Sequence, residues 1–393
     1  MPFKRLLSVL LLACGVLALA GAGSAVAAPA GNPLAAGPWF VDWHWKPAVR
    51  EVSYQRSLGH LGTANQLDVL ARTPSAKWWP WQFGEQPTRA YFDRAVAEEG
   101  ADVIPTLVTE NLPGMGCAQN GGPSAAGFRR WVDGFARGIG RHRAVIFVES
   151  DGIASSNCLR GSALNFRLGL IAYEVRRLAA LPNTGVYIDA GASDWLSARR
   201  AAQLLRRVGV GRARGFVLDP THYEWTHTQI AYGTKISRLL GGKHFVVNTA
   251  MNGNGPLVPR DRVRYGNEVW CNPAGRALGP LPTLGTGNRL VDAFFWVSPP
   301  GLSDGPCANA PGSMPGPRTG AWWLTWALEL AGNATRTRGT SPAIAAEERR
   351  PLSSADGVAL LDLDSSRDRR RGARRGDHRA HETPLRRPSS PRR

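Results

Sequence analysis

The sequence predicts an α/β fold built on a parallel sheet, and three observations predict it. Short runs that are apolar throughout recur along the middle of the chain, as expected of strands buried on both faces. Helical stretches separate most of these runs, the alternation that produces a parallel sheet, open or closed into a barrel. Six runs end in a polar, mostly acidic cluster: Thr109-Glu110-Asn111, Glu149-Ser150-Asp151, Asp189-Ala190-Gly191, Asp219-Pro220-Thr221-His222, Asn248-Thr249 and Ser303-Asp304. Side chains at the carboxyl ends of parallel strands converge on one rim, where such folds place their chemistry.

In chain order, the strand candidates are Trp39 to Val41, Ala76 to Trp79, Val103 to Val108, Ala144 to Val148, Gly185 to Ile188, Gly215 to Leu218, His244 to Val247 and Ala293 to Val297. Between them, Phe128, Trp131, Phe135 and Ile139 fall at helical spacing, as do Leu164, Leu168, Ile171, Val175 and Leu178. Further helices are expected from Ser197 to Val208, from Thr226 to Leu240 with Thr226 as N-cap, and from Ala321 to Asn333. Two Gly/Pro-rich stretches, Asn252 to Thr286 and Pro299 to Gly320, interrupt the pattern. Loops of that length in a compact domain are functional or disordered, and both follow strand ends, where they would wall a cleft.

The two ends read differently from the middle. Lys4 and Arg5 precede an apolar run from Leu6 to Ala20 and the triplet Ala25-Val26-Ala27, so residues 1–27 are expected to be a secretory signal and the protein to be exported. The apolar run is shorter than the roughly 20 residues of a membrane span. Residues 33–334 suit one large domain, and 335–393 an Arg-rich disordered tail. From Arg367 to Arg393, eleven Arg stand against three acids, a net of +8. With Lys4 and Arg5 also set aside, about +8 of the formal +18 remains for the globular part. The tail lacks aromatics and apolar periodicity, which fits a solvated segment better than a nucleic-acid partner surface.

Four cysteines follow the signal, Cys117, Cys158, Cys271 and Cys307. An even count in an exported chain predicts two disulfides, with three possible connectivities. Their spacing excludes a CxxC metal site, and His222 and His227 form no HExxH pattern, so no metal is expected. Asn252-Gly253-Asn254-Gly255-Pro256 lacks the Lys and Ser/Thr of a phosphate loop and reads as a tight loop. No GxSxG nucleophile elbow is present.

The rim residues point to carbohydrate. Of 14 Trp, Trp43, Trp45, Trp78, Trp79, Trp81, Trp195, Trp225, Trp270 and Trp296 fall near proposed strand ends. Indole faces stack on the apolar faces of sugar rings while the N–H bonds a hydroxyl. Glycoside hydrolysis requires paired carboxylates, one to protonate the leaving oxygen and one to activate water or attack the sugar. Asp151, Asp189 and Asp304 are the candidates, with Asn248 and Glu110 as further substrate-binding candidates on the same rim.

Four motifs carry a resemblance. Val186-Tyr187-Ile188-Asp189-Ala190-Gly191 with Trp195 is similar to YxDAGHxxW. Asn252 to Pro256 repeats an NGNGP loop, and Trp270-Cys271-Asn272-Pro273 with Gly275-Arg276 is similar to WCxPxGR. Asp292-Ala293-Phe294-Phe295-Trp296-Val297 with Pro300-Gly301 and Asp304-Gly305 is similar to DAFxWxKxPGExDG. In this order they resemble glycoside hydrolase family 6, the inverting endoglucanases and cellobiohydrolases of β-1,4-glucan. The resemblance implies a distorted, incomplete parallel α/β barrel, TIM-like with about seven strands, its cleft at the carboxyl ends. It places Asp151 as general acid and Asp304 as base acting through water. Asp189, Trp78 and Trp270 fall at substrate-binding positions, and the implied disulfides are Cys117 to Cys158 and Cys271 to Cys307. No cofactor is implied, and the partner is a β-glucan polysaccharide or oligosaccharide.

Departures from the pattern matter as much. Where the family has Arg-Asp-Cys this chain has Met115-Gly116-Cys117, and a nearby Tyr is replaced by Glu110. The His after Asp-Ala-Gly is Ala192, and the Lys and Glu flanking the base are Ser298 and Leu302. Each change removes a charge or a hydrogen bond aimed at the sugar, which keeps a catalytically weakened glycan-binding protein as the alternative. Glu110 is expected to take over from the missing carboxylate in holding the acid's proton.

Overall fold

The computed structural model describes residues 31–114, 122–256, 270–307 and 313–337. Seven parallel strands form one sheet in chain order: β1 (Lys77–Trp78), β2 (Thr106–Val108), β3 (Ala144–Val148), β4 (Thr184–Asp189), β5 (Gly215–Leu218), β6 (His244–Asn248) and β7 (Val291–Phe295). Among the described residues β1 and β7 do not pair as strands. A single backbone bond, Ala76 N to Trp296 O at 2.8 Å, spans the seam between their ends. The sheet is therefore curled and incomplete, the distorted barrel expected from the motifs.

Every central strand is buried on both sides because its alternate residues serve two cores. On β3, Ala144, Ile146 and Val148 face the surrounding helices, whereas Val145 and Phe147 point inward with Tyr187, Val217, Val246, Ala293 and Phe295. Parallel strands covered this way read as continuous apolar runs rather than as alternating ones. Seven of the eight expected strands reproduce the runs to within three residues at each end. Trp39 to Val41 instead contributes one isolated bridge, Trp39 to Ile104.

The helices are α1 (Pro47–Ser57), α2 (Leu61–Arg72), α3 (Glu85–Glu99), α4 (Ala125–Ile139), α5 (Gly161–Leu178), α6 (Ala198–Arg207), α7 (Thr226–Leu239) and α8 (Leu324–Thr337). Ser124 caps α4 by accepting from Gly127 N, and Ser197 caps α6 by accepting from Arg200 N, each satisfying one of the free N–H groups of a first turn. Thr226 is not the cap of α7. Trp225 takes that position, and the Thr226 hydroxyl accepts from Asn252 Nδ2 instead. α1, α2 and α8 pack around Trp296 and Trp326 as a separate apolar layer beside the open seam.

A polar network braces the sheet at Asp292. Arg214 donates two bonds to its carboxylate at 2.8 and 2.9 Å, Tyr187 Oη adds a third at 2.7 Å, and His244 Nδ1 lies 3.1 Å away. This ties β4, β6, β7 and the segment entering β5. Among the described residues no helix is long and apolar enough to cross a membrane. The proposed signal segment, Met115 to Cys117 and the Arg-rich stretch from Arg367 lie outside the described residues.

Candidate active site

Five of the six expected clusters stand at or just past the carboxyl ends of β2 to β6, whereas Ser303-Asp304 closes no strand and lies in the loop after β7. The backbone there is unusual: all five non-Gly residues with positive φ among the described ones, Glu149, Asp151, Asp219, Asn272 and Cys307, lie in these clusters or in the loops after β6 and β7. Such conformations cost energy outside Gly and cluster at functional sites. At Asp151, φ 61° is held because Asp189 Oδ2 accepts the Asp151 N–H at 2.5 Å. The other Asp189 oxygen accepts from Gly191 N at 2.8 Å. Gly191 itself has φ 75°, and a Cβ there would lie 2.7 Å from that of Ala154. Asp189 is thus buried and engaged on both oxygens, positioning the segment that carries Asp151.

Asp151 accepts a hydrogen bond from Thr221 Oγ1 at 2.7 Å. Burial raises its carboxyl above the ordinary value, against the lowering effects of the Thr221 bond and the nearby His222 charge. Asp304 is held by a separate set of partners. It accepts from Asn272 N at 3.0 Å and from Tyr223 Oη at 3.4 Å, while its own N–H donates to Asn272 Oδ1 at 2.8 Å. Burial, opposed by these two bonds and reinforced by the charge of Asp151, pushes Asp304 up to about 6. The disulfide Cys271–Cys307 fastens the two segments that present Asn272 and Asp304. Cys158 is also disulfide-bonded; Cys117, its expected partner, lies outside the described residues.

Glu110 follows β2 with its backbone pinned on both flanks. Thr109 Oγ1 donates to Glu174 at 2.9 Å, and Asn111 donates its amide to Trp79 O at 2.9 Å. Burial raises Glu110 well above the usual carboxyl range, and the charges of Asp151, Glu149, Asp189 and Asp304 push it further the same way. Among these acids Glu110 therefore keeps its proton to high pH. Beneath it, Glu149 accepts the N–H groups of Asn111 and Leu112, and its carboxyl lies against that of Glu174. Burial raises both, Glu174 to about 7 and Glu149 well above the usual carboxyl range, with the charge of Glu174 pushing Glu149 further up.

The remaining candidates sort by environment. Asn248 is buried with its amide fully engaged: Nδ2 donates to Asp219 O, and Oδ1 accepts from Val297 N and Ala250 N, joining the ends of β5, β6 and β7. Trp78 ends β1 half-buried, its indole N–H 3.4 Å from Val297 O. Trp270 is 42% exposed beside Cys271 and Asn272. Trp45, Trp81 and Trp225 are exposed, but Trp79 and Trp296 are core residues whose N–H groups bond Thr88 and Pro280. Trp195 has one face covered by His222, the rings stacked at 4.8 Å. Thr221, Tyr223 and Asn272 were not among the site residues expected from sequence, although each lies within or beside a quoted motif. Glu174, on α5, carried no sequence signal beyond an acid at a helical core position.

Residues 34–334 match the sequence profile of glycosyl hydrolases family 6. The chain belongs to that family. It is 39% identical over 274 residues to Endoglucanase A of Cellulomonas fimi, covering 68% of this chain and 56% of that one. With Endoglucanase A of Thermobispora bispora it shares 34% over 257 residues, 62% of this chain and 53% of the relative. The chain thus spans about half the length of these two relatives. Among solved structures, the endoglucanase Cel6 from Mycobacterium tuberculosis, in complex with methyl-cellobiosyl-4-deoxy-4-thio-β-D-cellobioside, superposes with a TM-score of 0.69 at 35% identity, covering 77% of this chain and 99% of that one. Endoglucanase CEL6B from Humicola insolens shares the fold at 21% identity, with a TM-score of 0.63 over 77% of this chain and 98% of that one.

Within the family 6 domain, the departures noted in the sequence have structural consequences. The Ser298 hydroxyl donates to Pro220 O and braces the loop after β5. Leu302 forms an isolated bridge with Trp322. Ala192 is buried.

Proposed function

We propose that the chain is an exported glycoside hydrolase that cleaves β-1,4-glucan with inversion, Asp151 acting as general acid and Asp304 as base. The Asp151 proton passes to the leaving oxygen as the glycosidic bond breaks. Water attacks the sugar's C1 from the opposite face and gives its proton to Asp304. One observation carries this reading: Thr221 and Tyr223, two residues apart on the loop after β5, each hold one of the two aspartates. The names of the relatives, endoglucanases, and the thio-oligosaccharide bound to the Cel6 neighbour support a β-glucan as substrate. Trp270, exposed beside the Asp304 anchor, offers a stacking face for it. Export rests on the signal-like segment at residues 1–27.

In this scheme Asp189 is a positioning group, and Glu110 is the protonated neighbour that reloads Asp151. Asp304, with two donors favouring its ionised form, is a competent base above about pH 6.

The alternative, a glycan-binding protein with weakened turnover, is favoured by Ser298, whose hydroxyl is turned to Pro220 O where the family places a Lys. Reducing-sugar release from soluble β-glucan, compared between wild type and Asp151→Ala, separates the readings. A general acid contributes on the order of 100-fold or more, so hydrolysis predicts at least that loss. Equal, negligible release with retained glycan binding identifies the binder.

A further inference from the structure

His222 lies between the two residues that hold the aspartates, Thr221 and Tyr223, yet the hydrolytic scheme gives it no task. Its ring is clamped on two sides. Nδ1 lies 3.0 and 3.1 Å from the two Asp194 carboxylate oxygens, and the ring stacks on Trp195 at 4.8 Å with planes 13° apart. Both side chains of the pair are largely shielded, 16% and 15% exposed.

We propose that His222 is a positioning residue for the general acid, whose clamped ring seats Thr221 on Asp151 and whose positive charge sets the pH at which Asp151 ionises. The proposal rests on the assignment of Asp151 as the acid. The charged groups facing the ring are Asp194 from the loop after β4, Asp189 from the end of β4 and Asp151 from the loop after β3. Asp219 and Glu224 flank it on its own loop, and Tyr232 on α7 faces Asp189 and Asp194. Burial pulls His222 down, but the Asp194 hydrogen bond and the charges of Asp194, Asp151 and Asp189 outweigh it, and the net direction is up. In return, the His222 charge opposes the burial that raises Asp151. Two groups that interact this way titrate together. Asp194 fixes the orientation of the ring and favours its protonated form, as a carboxylate partner does for a histidine elsewhere.

Two measurements on the full chain test this. In the pH profile of kcat/KM on a soluble cello-oligosaccharide, His222→Gln should move the basic limb up by about half a pH unit or more. An unmoved limb with a lowered kcat would reduce His222 to packing and overturn the proposal. The second measurement needs no His222 variant and no turnover. By NMR titration, Asp151→Asn should lower the His222 ring pKa, because linkage makes the coupling reciprocal. A His222 titration identical in wild type and Asp151→Asn overturns the proposal even if His222→Gln does not fold. If wild type and Asp151→Asn hydrolyse equally, the acid assignment fails, while the NMR comparison still decides the His222–Asp151 coupling.

Discussion

Thr221 Oγ1 donates to Asp151 Oδ1 at 2.7 Å, so the acid on one strand end is held by a hydroxyl from a loop 70 residues further along the chain. Two residues on, Tyr223 reaches Asp304. A single loop thereby fixes both carboxyl groups, and its seating is maintained by Ser298 and Asn248 through the carbonyls of Pro220 and Asp219.

Removing that hydroxyl should therefore be felt in catalysis more than in stability. Hydrogen bonds to charged groups contribute about 1.5–3 kcal/mol, so Thr221→Val should lower kcat/KM by about 10-fold or more and raise the acid's pKa. Steady-state kinetics across pH check it. Unchanged kinetics would mean that Asp151 needs no such anchor.

Glu110→Gln should lower kcat and leave the basic limb of the pH profile nearly where it is. Burial and the neighbouring charges hold the Glu110 carboxyl well above its usual range, so the wild-type side chain is neutral beside Asp151. The amide keeps that neutrality but has no proton to pass to Asp151 after each turnover. Wild-type kcat in Glu110→Gln ends the role assigned to Glu110.

Stability should fall as pH rises from 5 to 7. Burial raises Glu174 to about 7 in the folded state, against about 4.3 for an unfolded Glu. A raised carboxyl contributes stability that is complete below the unfolded value and is lost as pH rises through the folded one. Each retained proton gives a slope of about 1.4 kcal/mol per pH unit. Glu174→Gln should flatten that dependence in denaturant melts at pH 5 and 7.

Asp292→Ala should destabilise the fold by about 3 kcal/mol, because it leaves the buried Tyr187 hydroxyl and the largely buried Arg214 without their shared acceptor. Chemical denaturation measures the loss. A change below about 1 kcal/mol would show that the network is dispensable.

The strands were legible because parallel strands covered on both faces leave unbroken apolar runs, and Asp151, Asp189 and Asp304 were legible because each closes such a run or sits in a quoted motif. α1, α2 and α3 were missed. Their apolar faces are short, and the punctuation that marks them, Pro47 at the start of α1 and Gly84 and Gly100 around α3, is weak without a strong period. Asn248 reads as a rim residue, but only the fold reveals that its amide is consumed in joining three strand ends. The Thr221, Tyr223 and Glu174 contacts join distant segments, and no local pattern announces a partner 65 to 81 residues away.

Proton NMR of a cello-oligosaccharide during its first minutes of hydrolysis tests the central assignment most directly. Asp151 as acid and Asp304 as base through water predict that the new reducing end appears first as the α-anomer and mutarotates afterwards. A β-anomer appearing first, or no new reducing end at all, would contradict the account.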